Sequence, residues 1–121
     1  TRRSMAMRSA YRISVNIPSG LEEGLMDAID EVMEPLYPGY RRCFCSWNVK
    51  GTWIPVEGSH PYIGEIGRRE ECDEVRIEFA VREEDLRAVV KRISEVHPYD
   101  EPAIDVVPLI PWKEVLRTSS D

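Results

Sequence analysis

The sequence predicts an α+β sandwich in which two helices cover one face of an antiparallel sheet. Three observations predict it: a strand-like alternation followed by a helical stripe, the return of that pair 64 residues later, and a β-rich run after each copy. Strand-to-strand crossovers are right-handed, so both helices arrive on the same side of the sheet.

Tyr11, Ile13, Val15 and Ile17 alternate with Arg12, Ser14 and Asn16, the period of a half-buried strand. Pro18 and Ser19 stop it, and Ser19 with Glu22 stands at capping-box spacing. Leu21, Leu25, Ile29, Val32 and Met33 then line one face of a helix expected to end near Pro35. In the second copy Val75, Ile77, Phe79 and Val81 alternate with Arg76, Glu78 and Ala80. Leu86, Val89, Val90, Ile93 and Val96 form the second helical stripe, which stops before Pro98. Glu83, Glu84 and Asp85 open that helix, where its dipole favours negative charge. Cys43 to Val49 and Thr52 to Val56 are β-rich runs around Lys50-Gly51 and predict an extra hairpin strand. Ile104 to Ile110 reads as an edge strand closed by prolines, and Trp112 to Arg117 as a short terminal helix. The order β-α-β-β-α-β is ferredoxin-like. Trp47, Trp53, Phe44 and Tyr62 are expected on the helix-free face, which calls for a partner subunit.

At 121 residues the chain holds one core, with 42% hydrophobic and 31% charged residues. Residues 11–117 are read as a single domain, 1–10 as a head or expression remnant, and 118–121 as a tail. No leader or apolar run long enough for a membrane span is visible, which points to a soluble, cytoplasmic protein. Residues 61–121 carry nine basic and fifteen acidic groups, so the formal charge of −6 is concentrated there. Such a field repels a phosphate backbone, which argues against nucleic-acid binding. Three cysteines without a secretion signal are expected as reduced thiols.

Cys43 and Cys45, two apart on a predicted strand, would point to one face. They read as a soft-metal or redox pair, or as small buried hydrophobes beside Trp47; the absence of Cys-x-x-Cys or His ligand spacing favours the second. The segment from Glu57 to Gly67 places Gly58, Gly64 and Gly67 around Pro61, yet lacks the Gly-Lys-Ser/Thr ending of a phosphate loop. His97-Pro98-Tyr99-Asp100-Glu101-Pro102 gathers titratable groups in one turn. A metal or acid–base site and a helix stop with a tyrosine anchor account for it equally well.

Five motifs occur in one order: Cys45-Ser46-Trp47, Gly51-x-Trp53-x-Pro55, Glu57-Gly58-Ser59-x-Pro61-x-Ile63-Gly64-x-x-Gly67, Glu74-x-Arg76-Ile77-Glu78 and His97-Pro98-Tyr99-Asp100-Glu101-Pro102-Ala103. Together, over residues 11–110, they resemble the YqfO-type domain. That domain is also an insert in the NGG-interacting-factor-three-like proteins, otherwise named GTP cyclohydrolase type 2 homologues. The resemblance implies a PII/CutA-like fold and a homotrimer. The relatives' dinuclear metal site lies on a surrounding domain whose His-rich and acidic motifs are absent here. The resemblance therefore carries no hydrolase or cyclohydrolase activity over to this chain.

The resulting expectation is a non-enzymatic, regulatory trimer that binds a small ligand, metal ion or partner protein. The expected ligand-binding residues are Trp47, Gly58, Pro61, Gly64, Gly67, His97, Tyr99, Asp100 and Glu101, with no required cofactor. One alternative is divalent-metal handling of the CutA sort through Cys43, Cys45 and His97. The other is an enzyme using His97 and Glu101 as acid and base.

Overall fold

The computed structural model describes residues 9–117. Strands β1 (Ala10–Pro18), β2 (Cys45–Trp53), β3 (Glu70–Arg82) and β4 (Ile104–Leu109) form an antiparallel sheet in the order β2-β3-β1-β4. Helices α1 (Glu22–Asp30) and α2 (Glu83–Val96) lie on one face, and a short α3 (Trp112–Arg117) follows β4. Among the described residues no helix is long and apolar enough to cross a membrane. Residues 1–8 and 118–121, most of the expected head and tail, lie outside those described. Ala10, assigned to the head, instead opens β1 and is fully buried between Arg82 and Leu109.

Both alternating strands bury their apolar sets against the helices. Ile13 stands opposite Phe79, and Val15 opposite Ile77. Leu25 and Ile29 from α1, with Val89 and Ile93 from α2, close the core above them. The duplication is physical as well as sequential. Ser14 faces Glu78 across the central strand pair, and these two positions are equivalent under the 64-residue offset. Equivalent residues meeting face to face mark a local twofold axis. The Ser14 hydroxyl donates to Glu78 at 2.9 Å on that axis. On the helical side Arg92 donates to the carbonyl of Ala28 at 3.0 Å, another equivalent pair.

Several local expectations are corrected. β2 runs unbroken through Lys50-Gly51, so the extra hairpin strand does not exist. Gly51 pairs with Cys72 in regular register rather than turning the chain. α1 ends at Asp30, yet Val32 and Met33 still pack on the core from the following turn. The capping box does not form: Glu22 accepts the Gly20 amide at 2.7 Å, the Ser19 amide donates to the Asp73 carbonyl at 3.1 Å, and Leu21 is the cap residue. Phe44 packs edge-on against Phe79 at 5.2 Å, on the helical side instead of the open one.

The open face is also more polar than expected. Strand alternation puts Ser14, Asn16, Glu74, Arg76, Glu78 and Asp105 there. Arg76 donates to Asn16 at 3.0 Å and pairs with Glu78 at 3.5 Å and Asp105 at 3.7 Å. Trp47 and Val49 flank this row along β2, and Val107 and Leu109 along β4.

The cysteines are the largest departure. Cys43 precedes β2 and is exposed, and Cys45, the first residue of β2, is exposed as well. β2 is an edge strand, and Cys45, opposite Glu78, shares the helix-free face with Trp47. The buried-hydrophobe reading therefore fails. Replacing both by serine is expected to change unfolding free energy by no more than about 0.5 kcal/mol, the range for exposed positions. Urea denaturation of the double variant checks this.

Candidate functional site

Two connections meet beyond one end of the sheet: residues 54–69 between β2 and β3, and residues 97–103 between α2 and β4. Pro98 ends α2 by holding His97 extended, at φ −69° and ψ 135°. His97 is almost fully buried, at 6% exposure. Its Nδ1 accepts the Tyr99 amide at 3.1 Å, so Nε2 carries the proton and donates to the Asn16 carbonyl at 2.6 Å. β4 stops pairing with β1 at Val15. The imidazole thus satisfies the first edge carbonyl that β4 leaves open. Burial pushes the His97 pKa below its ordinary value, against the opposing pull of the Asn16 carbonyl and Glu74.

From that anchor the turn swings Tyr99 onto the sheet. Its hydroxyl donates to Glu74 at 2.6 Å. Glu74, on β3, is 3% exposed, a carboxylate that would be costly to bury without such a donor. Burial, reinforced by the Glu74 carboxylate, pushes the Tyr99 phenol far above its ordinary pKa, so it stays a donor. Gly51 makes room for the pair. A Cβ at that position would overlap the Glu74 carboxylate, with Cδ only 2.6 Å away. This close approach, not a turn, explains the glycine.

The β2–β3 connection packs on the same tyrosine. Trp53 lies 5.5 Å from the Tyr99 ring at 54°, and Tyr62 lies 6.2 Å from it at 49°. Trp53 donates through Nε1 to the Ile63 carbonyl at 3.2 Å, and the Gly67 amide closes the loop onto the Pro55 carbonyl at 2.7 Å. The His60 amide donates to Asp100 at 2.9 Å, joining loop to turn. Between them is an open cleft of about 200 Å³ with Trp53, Pro61, Tyr62 and Tyr99 in its walls and Asp100 and Glu101 at its rim.

Of the residues expected from sequence, Pro61, Tyr99, Asp100 and Glu101 line this cleft. Gly58, Gly64 and Gly67 hold positive φ angles of 97°, 107° and 81° and shape the loop from outside the cleft. His97 sits behind Tyr99, with ring centroids 4.9 Å apart, and both its nitrogens are committed to backbone groups. It supports the turn. Trp47 stands opposite Arg76 on the open face, away from the cleft lining. Among the described residues no group of three or more His, Cys, Asp or Glu side chains is arranged to hold a metal ion. The sequence reading omitted Trp53, Tyr62 and Glu74 from the site. Strand parity was the available signal, since Gly51 and Trp53 share a face of β2.

The strand order, with both long helices on one face, defines a ferredoxin-type, PII/CutA-like fold. The CutA divalent cation tolerance protein of Archaeoglobus fulgidus superposes with a TM-score of 0.62 at 20% identity, covering 89% of this chain and 92% of that one. CutA from Synechococcus elongatus superposes at 0.63 with 16% identity, covering 92% and 86%. At these identities the likeness concerns the fold.

More specific similarity runs to part of a longer protein. The GTP cyclohydrolase 1 type 2 homolog of Halalkalibacterium halodurans is 34% identical over 110 residues, which are 89% of this chain and 29% of the relative. The homolog from Bacillus subtilis is 31% identical over 98 residues, 81% of this chain and 26% of that one. A Bacillus cereus protein related to NIF3 superposes with a TM-score of 0.72 at 30% identity, covering 85% and 26%. The chain thus spans under a third of the length of these relatives, and it is similar to one segment of them. No protein-family model matches the sequence.

The neutral, doubly bonded state of His97 has a pH consequence. Its native pKa lies below the ordinary 6.5, so on acidification the unfolded chain takes up the proton first. The stability that His97 contributes is full above about pH 6.5 and is lost as pH falls from there toward the native value. Urea midpoints measured between pH 7.5 and about 5 are expected to fall more steeply for wild type than for His97→Gln.

Proposed function

We propose that this chain is a non-enzymatic, homotrimeric PII/CutA-like module that binds a small ligand or partner in a regulatory role. The observation that carries the reading is the meeting of the 54–69 loop and the 97–103 turn in one open cleft. Such clefts, apolar in their walls with a few placed polar groups, are the usual form of small-molecule sites. Tyr99, Pro61, Asp100 and Glu101 would contact the ligand directly. Gly58, Gly64, Gly67 and His97 would hold the two walls, and Trp47 would act from the assembly face.

The open sheet face supports the trimer. It combines a row of paired charges with exposed Trp47 and Val107 and half-buried Val49, and has no helix over it. Closed symmetry is the common way to cover such a face. The three unpaired thiols support a reducing, cytoplasmic setting.

Neither alternative gains from the geometry. The acid–base reading needs a free nitrogen on His97, and both are bonded to backbone groups. Metal handling through Cys43, Cys45 and His97 would require His97 to give up one of those bonds.

Light scattering coupled to gel filtration is expected to return three times the 14.0 kDa of one chain. Trp47→Glu, at the assembly face, is expected to yield folded monomer. A wild-type monomer across working concentrations would refute the trimer.

A further inference from the structure

We propose that the cleft between Trp53, Tyr62 and Tyr99 recognises an organic cation, an alkylammonium or guanidinium group carried on a short apolar stem. This names the ligand class of the cleft proposed above as the binding site and is independent of the trimer. Three aromatic rings border one opening, with Trp53 and Tyr62 at 5.5 and 6.2 Å from Tyr99 and inclined to it by 54° and 49°. All three rings line the cleft, and the electron-rich faces of aromatic rings attract weakly hydrated cations.

Charge points the same way. Asp100 and Glu101 stand at the rim, and the cleft lining contains no lysine or arginine. Among the described residues no ion pair engages either carboxylate; the His60 amide on Asp100 is a neutral donor. Glu101 is exposed, which leaves both its oxygens free to accept from a ligand donor. The net charge of −6 adds a long-range pull on cations and a penalty on phosphates.

The lining also separates an organic cation from a metal ion. A hydrated divalent cation requires several oxygen ligands converging on one point. Here two carboxylates share the lining with apolar Trp53, Pro61 and Tyr62. Those walls suit a stem and a diffuse charge. A planar anion such as a nucleotide would stack on the same rings but meet Asp100 and Glu101 with like charge.

Calorimetric titration of the full 121-residue chain with butylguanidinium, tetramethylammonium, butanol and ATP tests the assignment. The two cations are expected to bind saturably, and more weakly as salt is raised. Butanol and ATP are expected to give no saturable heat. Glu101→Gln is expected to weaken cation binding about 5-fold and Tyr62→Ala about 10-fold, within the range of an exposed charge pair and one cation–π contact. Both residues are exposed, so both variants should melt close to wild type. Cation binding indifferent to both variants would place the ligand elsewhere and overturn the proposal. ATP binding that Tyr62→Ala abolishes would keep the cleft as a site and overturn the cation. Silence from all four probes would overturn the cation class; if a broad metabolite screen were silent too, the binding-site reading itself would fall.

Discussion

The hydrogen bond between Tyr99 and Glu74 is the constraint on which the site depends. A carboxylate at 3% exposure needs a donor, and the Tyr99 hydroxyl supplies one at 2.6 Å. Everything nearby follows from that placement. Gly51 is side-chain-free because the carboxylate occupies its Cβ space. Trp53 and Tyr62 pack on the tyrosine ring, and His97 braces the turn from behind through two backbone bonds. The cleft is the space left between side chains that are fixed for other reasons.

The fold delivers these parts by symmetry. Its central strand pair and two helices obey a local twofold, visible where Ser14 meets Glu78 and Arg92 meets Ala28. The connections break that symmetry. Residues 31–44 return beside α1, tied by Arg41 to Asp30 and by Arg42 to Asp27 at 2.7 Å, whereas residues 97–103 cross to the open face and carry Tyr99 there. The candidate site thus sits in the parts of the chain that the duplication does not repeat, and loops are where functional residues commonly lie.

The sequence made the strands and helices legible because their apolar periods were long and unmixed, as in Tyr11 to Ile17 and Leu86 to Val96. It misled where one residue type serves two physical purposes. Gly51 after Lys50 has the form of a turn, but its actual demand is close approach by a side chain from the next strand. Cys43 and Cys45 have the composition of core residues, yet Cys43 precedes the edge strand and Cys45 shares its helix-free face with Trp47. The His97–Glu101 turn was legible as a unit, and its division of labour was not. Which side of Pro98 faces the core and which faces the cleft is set by Asn16 and Glu74, 81 and 25 residues away in sequence.

The central claim is that Glu74 and Tyr99 form one energetic unit, and a double-mutant cycle measures it most directly. Unfolding free energies of wild type, Glu74→Ala, Tyr99→Phe and the double variant give their coupling. The account predicts a favourable coupling of about 1.5–3 kcal/mol, the range for a buried hydrogen bond to a charged group. A coupling within about 0.5 kcal/mol of zero would contradict it.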